Sequence, residues 1–306
     1  MAKSHSIVMV CALMAGYAPA YAENSAITSA NNEIGLSIGG ENIAYHEHYD
    51  RAETWPSTSD GDLDSQIGTM PALALNFSRQ GALFGVSNVF LALNVSGAVG
   101  KTEYTGTTIY QHCRGIIPGT NYCSSYWPEY GPYSEHDTEA TVDVAGKIGK
   151  AFPLGARAQV TPYVTIGGHL WNRNVASQNG DDYYWNLEAG PGVLIQYAAT
   201  NRLVLGVDLA ALESFAAHAH ENGTDFRLGS RPMLTASLSA DYAVSKRFHL
   251  TARYTVEHFR YGASPSENCS PGETVGPFGT QGPMCSFEPS SWTTTQAMMV
   301  GASYAF

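Results

Sequence analysis

Two-residue alternation of apolar and polar side chains in ten segments, connections that alternate between short and long, and a Gly- and Tyr-rich composition with few charges predict an all-β chain. Within that class the same features select a closed ten-stranded antiparallel up-and-down transmembrane β-barrel with long extracellular loops. No continuous apolar run is long enough for a helical span, which needs about 20 residues. A soluble sandwich also shows short alternating strands. It does not give an apolar face on every strand, charges on the opposite face and strictly alternating connections.

Residues 1–22 have the order of a cleavable secretory signal peptide: Lys3 at the basic end, an apolar run from Ile7 to Ala15, and Ala-Tyr-Ala at 20–22 before Glu23. Cys11 is discarded with it. Residues 23–306 form a single domain. The signal contains one of the 16 Lys and Arg and none of the 27 Asp and Glu, so the mature chain carries a net charge of −12. That balance excludes nucleic acid as a partner, because a phosphate backbone needs a basic face. Four cysteines remain, at 113, 123, 269 and 285. An even number in an exported chain reads as disulfides, and the favoured pairings are the local ones, Cys113 with Cys123 and Cys269 with Cys285, each within one loop-like stretch. Metal binding would call for C-x-x-C spacing, which is missing, and neither metal nor cofactor is expected.

The first strand, Asn32 to about His48, sets Ile34, Leu36 and Ile38 on one face. Gly39-Gly40 predicts a bulge there, since Ile43 and Tyr45 lie on the opposite phase. Residues 49–68 are polar and acidic. Leu73, Leu75 and Phe77 then oppose Ala74, Asn76 and Ser78, and after the turn at Gln80-Gly81-Ala82 Val89, Leu91, Leu93, Val95 and Val99 share a face. Residues 101–136 read as a long loop rich in Tyr, Gly and Pro. Ala140, Val142, Val144 and Ile148 alternate with Glu139, Thr141, Asp143 and Lys147, and Pro153-Leu154-Gly155 turns the chain. Val160, Val164, Ile166 and Leu170 oppose Thr161, Tyr163, Thr165 and His169. Beyond a short loop, Trp185, Leu187, Ala189, Val193, Ile195 and Tyr197 oppose Asn186, Glu188 and Gln196. Thr200-Asn201 turns into Leu203, Leu205, Val207 and Leu209, which oppose Gly206 and Asp208. A loop at about 216–230 precedes Leu234, Ala236, Leu238, Ala240 and Tyr242, opposite Thr235, Ser237, Ser239 and Asp241. Past Ser245-Lys246, Phe248, Leu250, Ala252, Tyr254 and Val256 oppose His249, Thr251, Arg253 and Glu257. A loop at 263–290 leads to the last strand.

That strand, Gln296 to Phe306, carries Met298, Val300, Ala302, Tyr304 and Phe306 on one face and small residues on the other. Its Val300-x-x-x-Tyr304-x-Phe306 ending resembles the closing strand of Gram-negative outer-membrane β-barrel proteins, the small porin-like barrels. The pattern of the whole mature chain fits the same resemblance. It implies a location in the bacterial outer membrane, contact with outer-membrane lipid and lipopolysaccharide, and an assembly signal at Tyr304 and Phe306 read by the barrel-insertion machinery. Ten strands at this length also resemble the omptins, outer-membrane proteases whose rim sets paired acids against an Asp-x-His pair, the His acting as base on water. Here Asp181-Asp182 and His218-x-His220 sit at loop bases, but no Asp-x-His occurs. The His-x-Ser pair of outer-membrane phospholipases is missing too.

With apolar faces on lipid, the inward face carries Glu139, Asp143, Lys147, His169, Glu188, Asp208, Asp241, His249, Arg253 and Glu257. Eight strands are just filled by their side chains and ten add modest width, so the interior reads as a polar plug in which acids pair with Lys147 and Arg253. A narrow cation-favouring channel for small solutes is the alternative, since acids outnumber bases. Tyr110, Tyr122, Tyr126, Trp127 and Tyr130 crowd the first cysteine loop and suit either the binding of an extracellular ligand or an aromatic girdle. Asp60-Gly61-Asp62-Leu63-Asp64 opens like a calcium loop but has Pro71 where the closing Glu belongs, and His46 with His48 supply only two ligands. The functional expectation is a monomeric barrel in a structural or surface-recognition, adhesin-like role, with an omptin-like rim protease as the enzymatic alternative.

Overall fold

A computed structural model describes residues 25–48, 62–113, 126–175, 180–221, 223–265 and 288–306; the expected signal segment, 1–22, lies outside them. A short helix, α1 (Ser25–Ala30), precedes ten long strands: β1 (Glu33–His48), β2 (Asp62–Leu83), β3 (Val86–Cys113), β4 (Tyr126–Lys150), β6 (Ala158–Val175), β7 (Gly180–Ala198), β8 (Leu203–Glu221), β10 (Pro232–Ala243), β11 (Phe248–Tyr261) and β12 (Ser290–Ala305). Two short strands are added, β5 (Phe152–Leu154) against β6 and β9 (Thr224–Arg227) against β8. Each long strand pairs antiparallel with its chain neighbours. β12 pairs with β1 and β8 with β10, so the ring closes and the barrel wall, among the described residues, has no free edge. In hydrocarbon that closure is required, because an unpaired backbone group there has no water to satisfy it.

The outer wall follows the alternation. Ile38, Ile166 and Met298, at 61%, 65% and 66% exposure, are among a continuous band of outward Leu, Ile and Val. At the end bearing the short turns the band finishes in aromatics: Phe306 stacks on Phe77 with centroids 6.0 Å apart, and Phe248 meets Tyr304 edge-on at 5.7 Å. This is the periplasmic end, since the long strand extensions all leave from the other.

Four expectations are corrected. Residues 101–136 are not mainly loop: β3 and β4 stay paired from Gly106 opposite Tyr133 to Cys113 opposite Tyr126. Thr- and Tyr-rich sequence favours strand, and pairing satisfies backbone groups that a loop would leave to water. At 28 residues β3 reaches about 95 Å, far more than the 9–11 residues a span needs. For the same reason Asp62–Gly68 belongs to β2, and residues 216–221 and 224–227 lie in the paired strands β8 and β9. Finally, Gly39-Gly40 makes no bulge. The β1–β12 register runs unbroken from Glu33 opposite Ala305 to His48 opposite Ser290, and Ile43 and Tyr45 point inward, fully buried. A Cβ on Gly39 would run into the Met298 carbonyl oxygen, so glycine there permits close strand approach.

Candidate functional site

The interior is filled in three tiers. At the periplasmic floor α1 enters the barrel mouth, and Ile27, fully buried, packs with Ala30, Ala198 and Val204. The next residue but three closes the floor with neutral amides: Asn31 Nδ2 donates to Gln80 Oε1 (2.8 Å) and Gln196 Oε1 (2.9 Å), and Gln159 Nε2 donates to Gln80 Oε1 (3.0 Å). These bonds tie β2, β6 and β7 to the N-terminal segment across the lumen.

In the middle tier Lys147 Nζ and the Tyr163 hydroxyl both donate to Asp208, each at 2.5 Å. His169 Nδ1 lies 2.6 Å from Asp143 Oδ1, and Thr235 Oγ1 donates to Glu257 (3.0 Å). Glu188 is buried on the same face. His249 Nδ1 lies 2.8 Å from Asp241, near the floor. Of the two cations expected to neutralise the acids, Lys147 takes Asp208. Arg253 shares the inward phase of β11 with His249 and Phe259 and remains solvent-exposed. The other inward acids are held mainly by hydroxyls, imidazoles and an indole instead. Glu139, fully buried, accepts from Thr102 Oγ1 (2.7 Å) and Trp171 Nε1 (3.2 Å).

The extracellular tier is aromatic, which the strand pattern did not foretell. Tyr45 meets Trp171 at 4.9 Å and Tyr184 at 6.4 Å, Tyr184 stacks on Tyr261 at 5.9 Å, and Phe259 stands 5.5 Å from Tyr261. β1 and β7 stand opposite each other in the ring, so Tyr45 and Tyr184 bridge its full width. Arg173, 4% exposed, lies against this cluster, 4.9 Å from the Tyr45 ring centre and 5.1 Å from that of Trp171. Its Nη1 donates to the Tyr184 hydroxyl (3.2 Å) and sits 3.9 Å from Glu47. Tyr45 donates to Glu47 (2.5 Å), and the Tyr184 hydroxyl is shared between Glu288 (2.8 Å) and Glu221.

This acidic collar lies beyond Leu170 and Phe215, the last outward apolar residues of β6 and β8, and hence above the lipid band. Burial, reinforced by Asp64, pushes the Glu47 carboxyl up to about 8 even though Arg173 pulls it down. Burial and the charge of Glu221 push Asp182 up to about 7. Glu288 is raised well above the usual range, chiefly by burial. One guanidinium therefore serves several carboxyls that are costly to ionise together.

Other predicted positions fall elsewhere. Asp182 is buried inside, whereas His218 and His220 occupy the outward phase of β8. His218 stacks on Trp185 at 4.6 Å, and His220 Nδ1 lies 2.6 Å from Asp225. Asp182 and the two histidines considered for a rim protease thus stand on opposite faces of the wall. His46 stacks on Trp292 at 4.1 Å. Asp62 and Asp64 start β2 instead of a calcium loop; Asp60 lies outside the described residues. Tyr110, Tyr126, Trp127 and Tyr130 sit on the paired backbone of β3 and β4. Tyr122, Cys123, Cys269 and Cys285 lie outside the described residues, and no disulfide stands among those described. Sequence reasoning missed Tyr45, Trp171, Arg173 and Tyr184. The available signal was their phase, since each is an even number of residues from an inward polar neighbour: Glu47, His169 or Asn186.

No family model matches the sequence, and neither does any curated protein. Among solved structures, the outer-membrane protease OmpT of Escherichia coli is similar over 91% of this chain and 98% of that one, with TM-score 0.51 and 10% identity. OprG of Pseudomonas aeruginosa (TM-score 0.33, 11% identity, 90% and 98% covered) and the attachment invasion locus protein Ail of Yersinia pestis (0.26, 11%, 90% and 99%) overlap more loosely. At these identities the likeness speaks to fold alone. With its closed ring of ten strands, its apolar outer band and the likeness to OmpT, the chain has the fold of the bacterial outer-membrane β-barrels.

Proposed function

We propose that the protein is a plugged barrel whose role is structural or surface recognition, performed by the strand extensions and loops outside the membrane. The observation that carries this reading is the double closure of the lumen. Tyr45, Trp171, Tyr184 and Tyr261 meet across the extracellular end, and α1 with Asn31, Gln80, Gln159 and Gln196 fills the periplasmic end. A hydrated path for solute would have to break buried amide bonds below and an aromatic cluster above. The long β3–β4 hairpin carries Tyr110, Tyr126, Trp127 and Tyr130 on paired backbone, and residues of these types give contact area at low entropic cost.

Planar-bilayer recording tests the reading. The refolded chain is expected to give no stepwise current. A stepwise, cation-favouring current from the intact chain would overturn it in favour of the narrow channel. Recognition is tested by binding of the folded protein to arrays of matrix proteins and glycans. Loss of binding on replacing Tyr110, Tyr126, Trp127 and Tyr130 by Ser supports the assignment, and unchanged binding removes the hairpin from it.

A further inference from the structure

Where the periplasmic floor meets the wall, three strands bring dissimilar ligand groups to one point. Glu33 is the first residue of β1, Asp241 lies near the end of β10, and His249 near the start of β11. Their ligand atoms all lie within 4.8 Å of one another. His249 Nδ1 is 2.8 Å from Asp241 Oδ1 and 3.5 Å from Glu33 Oε2, and the imidazole is 1% exposed. Ser29 Oγ, from α1, lies 3.4 Å from Nε2, so the far nitrogen has a hydroxyl partner and Nδ1 faces the two carboxylates. With the ring proton on Nε2, the bare Nδ1 lone pair would meet two carboxylates, which is repulsive unless something positive lies between them.

A proton is the obvious candidate, but the geometry does not suit it. Nδ1 and Asp241 Oδ2 are both buried and neither makes a hydrogen bond, although Nδ1 stands 2.8 Å from Asp241 Oδ1. A cation set among the three groups needs no such line. Separations of 2.8 and 3.5 Å are those expected between ligand atoms that share one ion at about 2.0–2.2 Å. Ser303 Oγ donates to Glu33 Oε2 (2.5 Å) and orients that carboxylate, as an outer-sphere donor does.

We infer that Glu33, Asp241 and His249 form a binding site for one first-row divalent cation of the zinc type. Two carboxylates neutralise the ion, and one imidazole selects a borderline metal over calcium or magnesium. Bound there, the ion pins the start of β1 to β10 and β11, directly beneath the residues of α1 that close the floor.

The experiment uses the mature chain refolded in phospholipid vesicles, its cysteines alkylated, stripped with chelator and titrated with Zn²⁺ by calorimetry. Heat-modifiable gel migration verifies folding of every variant. Wild type and His218→Ala, which alters only the outer wall, are expected to bind at the site; Glu33→Gln and His249→Gln are expected to weaken it at least tenfold. No zinc binding by wild type, or unchanged binding in either folded variant, overturns the inference. Should both variants fail to fold, X-ray absorption of zinc-loaded wild type decides: one imidazole with oxygen ligands supports the site, and several imidazoles overturn it.

Discussion

Replacing Arg173 by Met keeps most of the stem that packs on Tyr45 and Trp171 while removing the charge they and the acidic collar share. Removing one partner of a buried charged group costs about 3–5 kcal/mol, because the opposite charges are left uncompensated. The cost depends on how many collar carboxyls are ionised. Glu47 titrates near about 8 and Asp182 near about 7 in the folded protein, both above their ordinary values, so the folded state holds protons that the unfolded chain releases. That stabilising contribution is fully present below the unfolded value of about 4.5 for Glu47 and is lost as pH rises through about 8. At pH 9 both groups are charged and Arg173 matters most; at pH 6 both are neutral and its loss costs only about 1–2 kcal/mol. Urea unfolding in phospholipid vesicles, followed by tryptophan fluorescence at the two pH values, measures this directly. Equal destabilisation at pH 6 and pH 9, or less than about 1 kcal/mol at pH 9, refutes the idea that one guanidinium compensates the collar.

Gly39→Ala is expected to destabilise the barrel by about 2 kcal/mol or more, since the added methyl meets the Met298 backbone, whereas Gly40→Ala, whose nearest neighbours are 3.6 Å away, is tolerated. Similar folded yields for both would remove the close-approach argument. Lys147→Met is expected to cost about 2–4 kcal/mol by stranding Asp208, and Lys147→Met with Asp208→Leu to recover much of it; a strictly additive double-mutant cycle sinks the pair as a coupled unit. Phe306→Ala removes the stack on Phe77, worth about 1 kcal/mol in vitro, yet should lower the assembled barrel in cells several-fold if the terminus is an assembly signal. Equal cellular levels speak against that role.

The strand count and the lipid face were legible because lipid on one side imposes a two-residue rhythm that survives in every segment, from Ile34-Leu36-Ile38 to Met298-Val300. Strand ends were not, because above the bilayer the rhythm is no longer enforced. Thr105–Cys113 and Tyr126–Ser134 lose the apolar alternation while keeping their pairing. The same relaxation hid the plug. Ile43 and Tyr45 looked out of phase with a lipid face, and only the unbroken register with β12 shows them turned inward.

The candidate sites divide in the same way. Inward acids such as Glu139, Asp143 and Asp208 could be named from alternation along a single strand, a local property of the chain. Apart from Lys147 for Asp208, the contacts that fill the lumen could not, because Tyr45 with Tyr184, Asn31 with Gln196, and Glu33 with His249 stand far apart in sequence. They meet only when the ring closes and sets opposite walls within side-chain reach. What the sequence by itself determined was therefore which face of each strand meets lipid, a local choice made every two residues; what fills the lumen was decided by ring diameter and register, which exist only in the closed barrel.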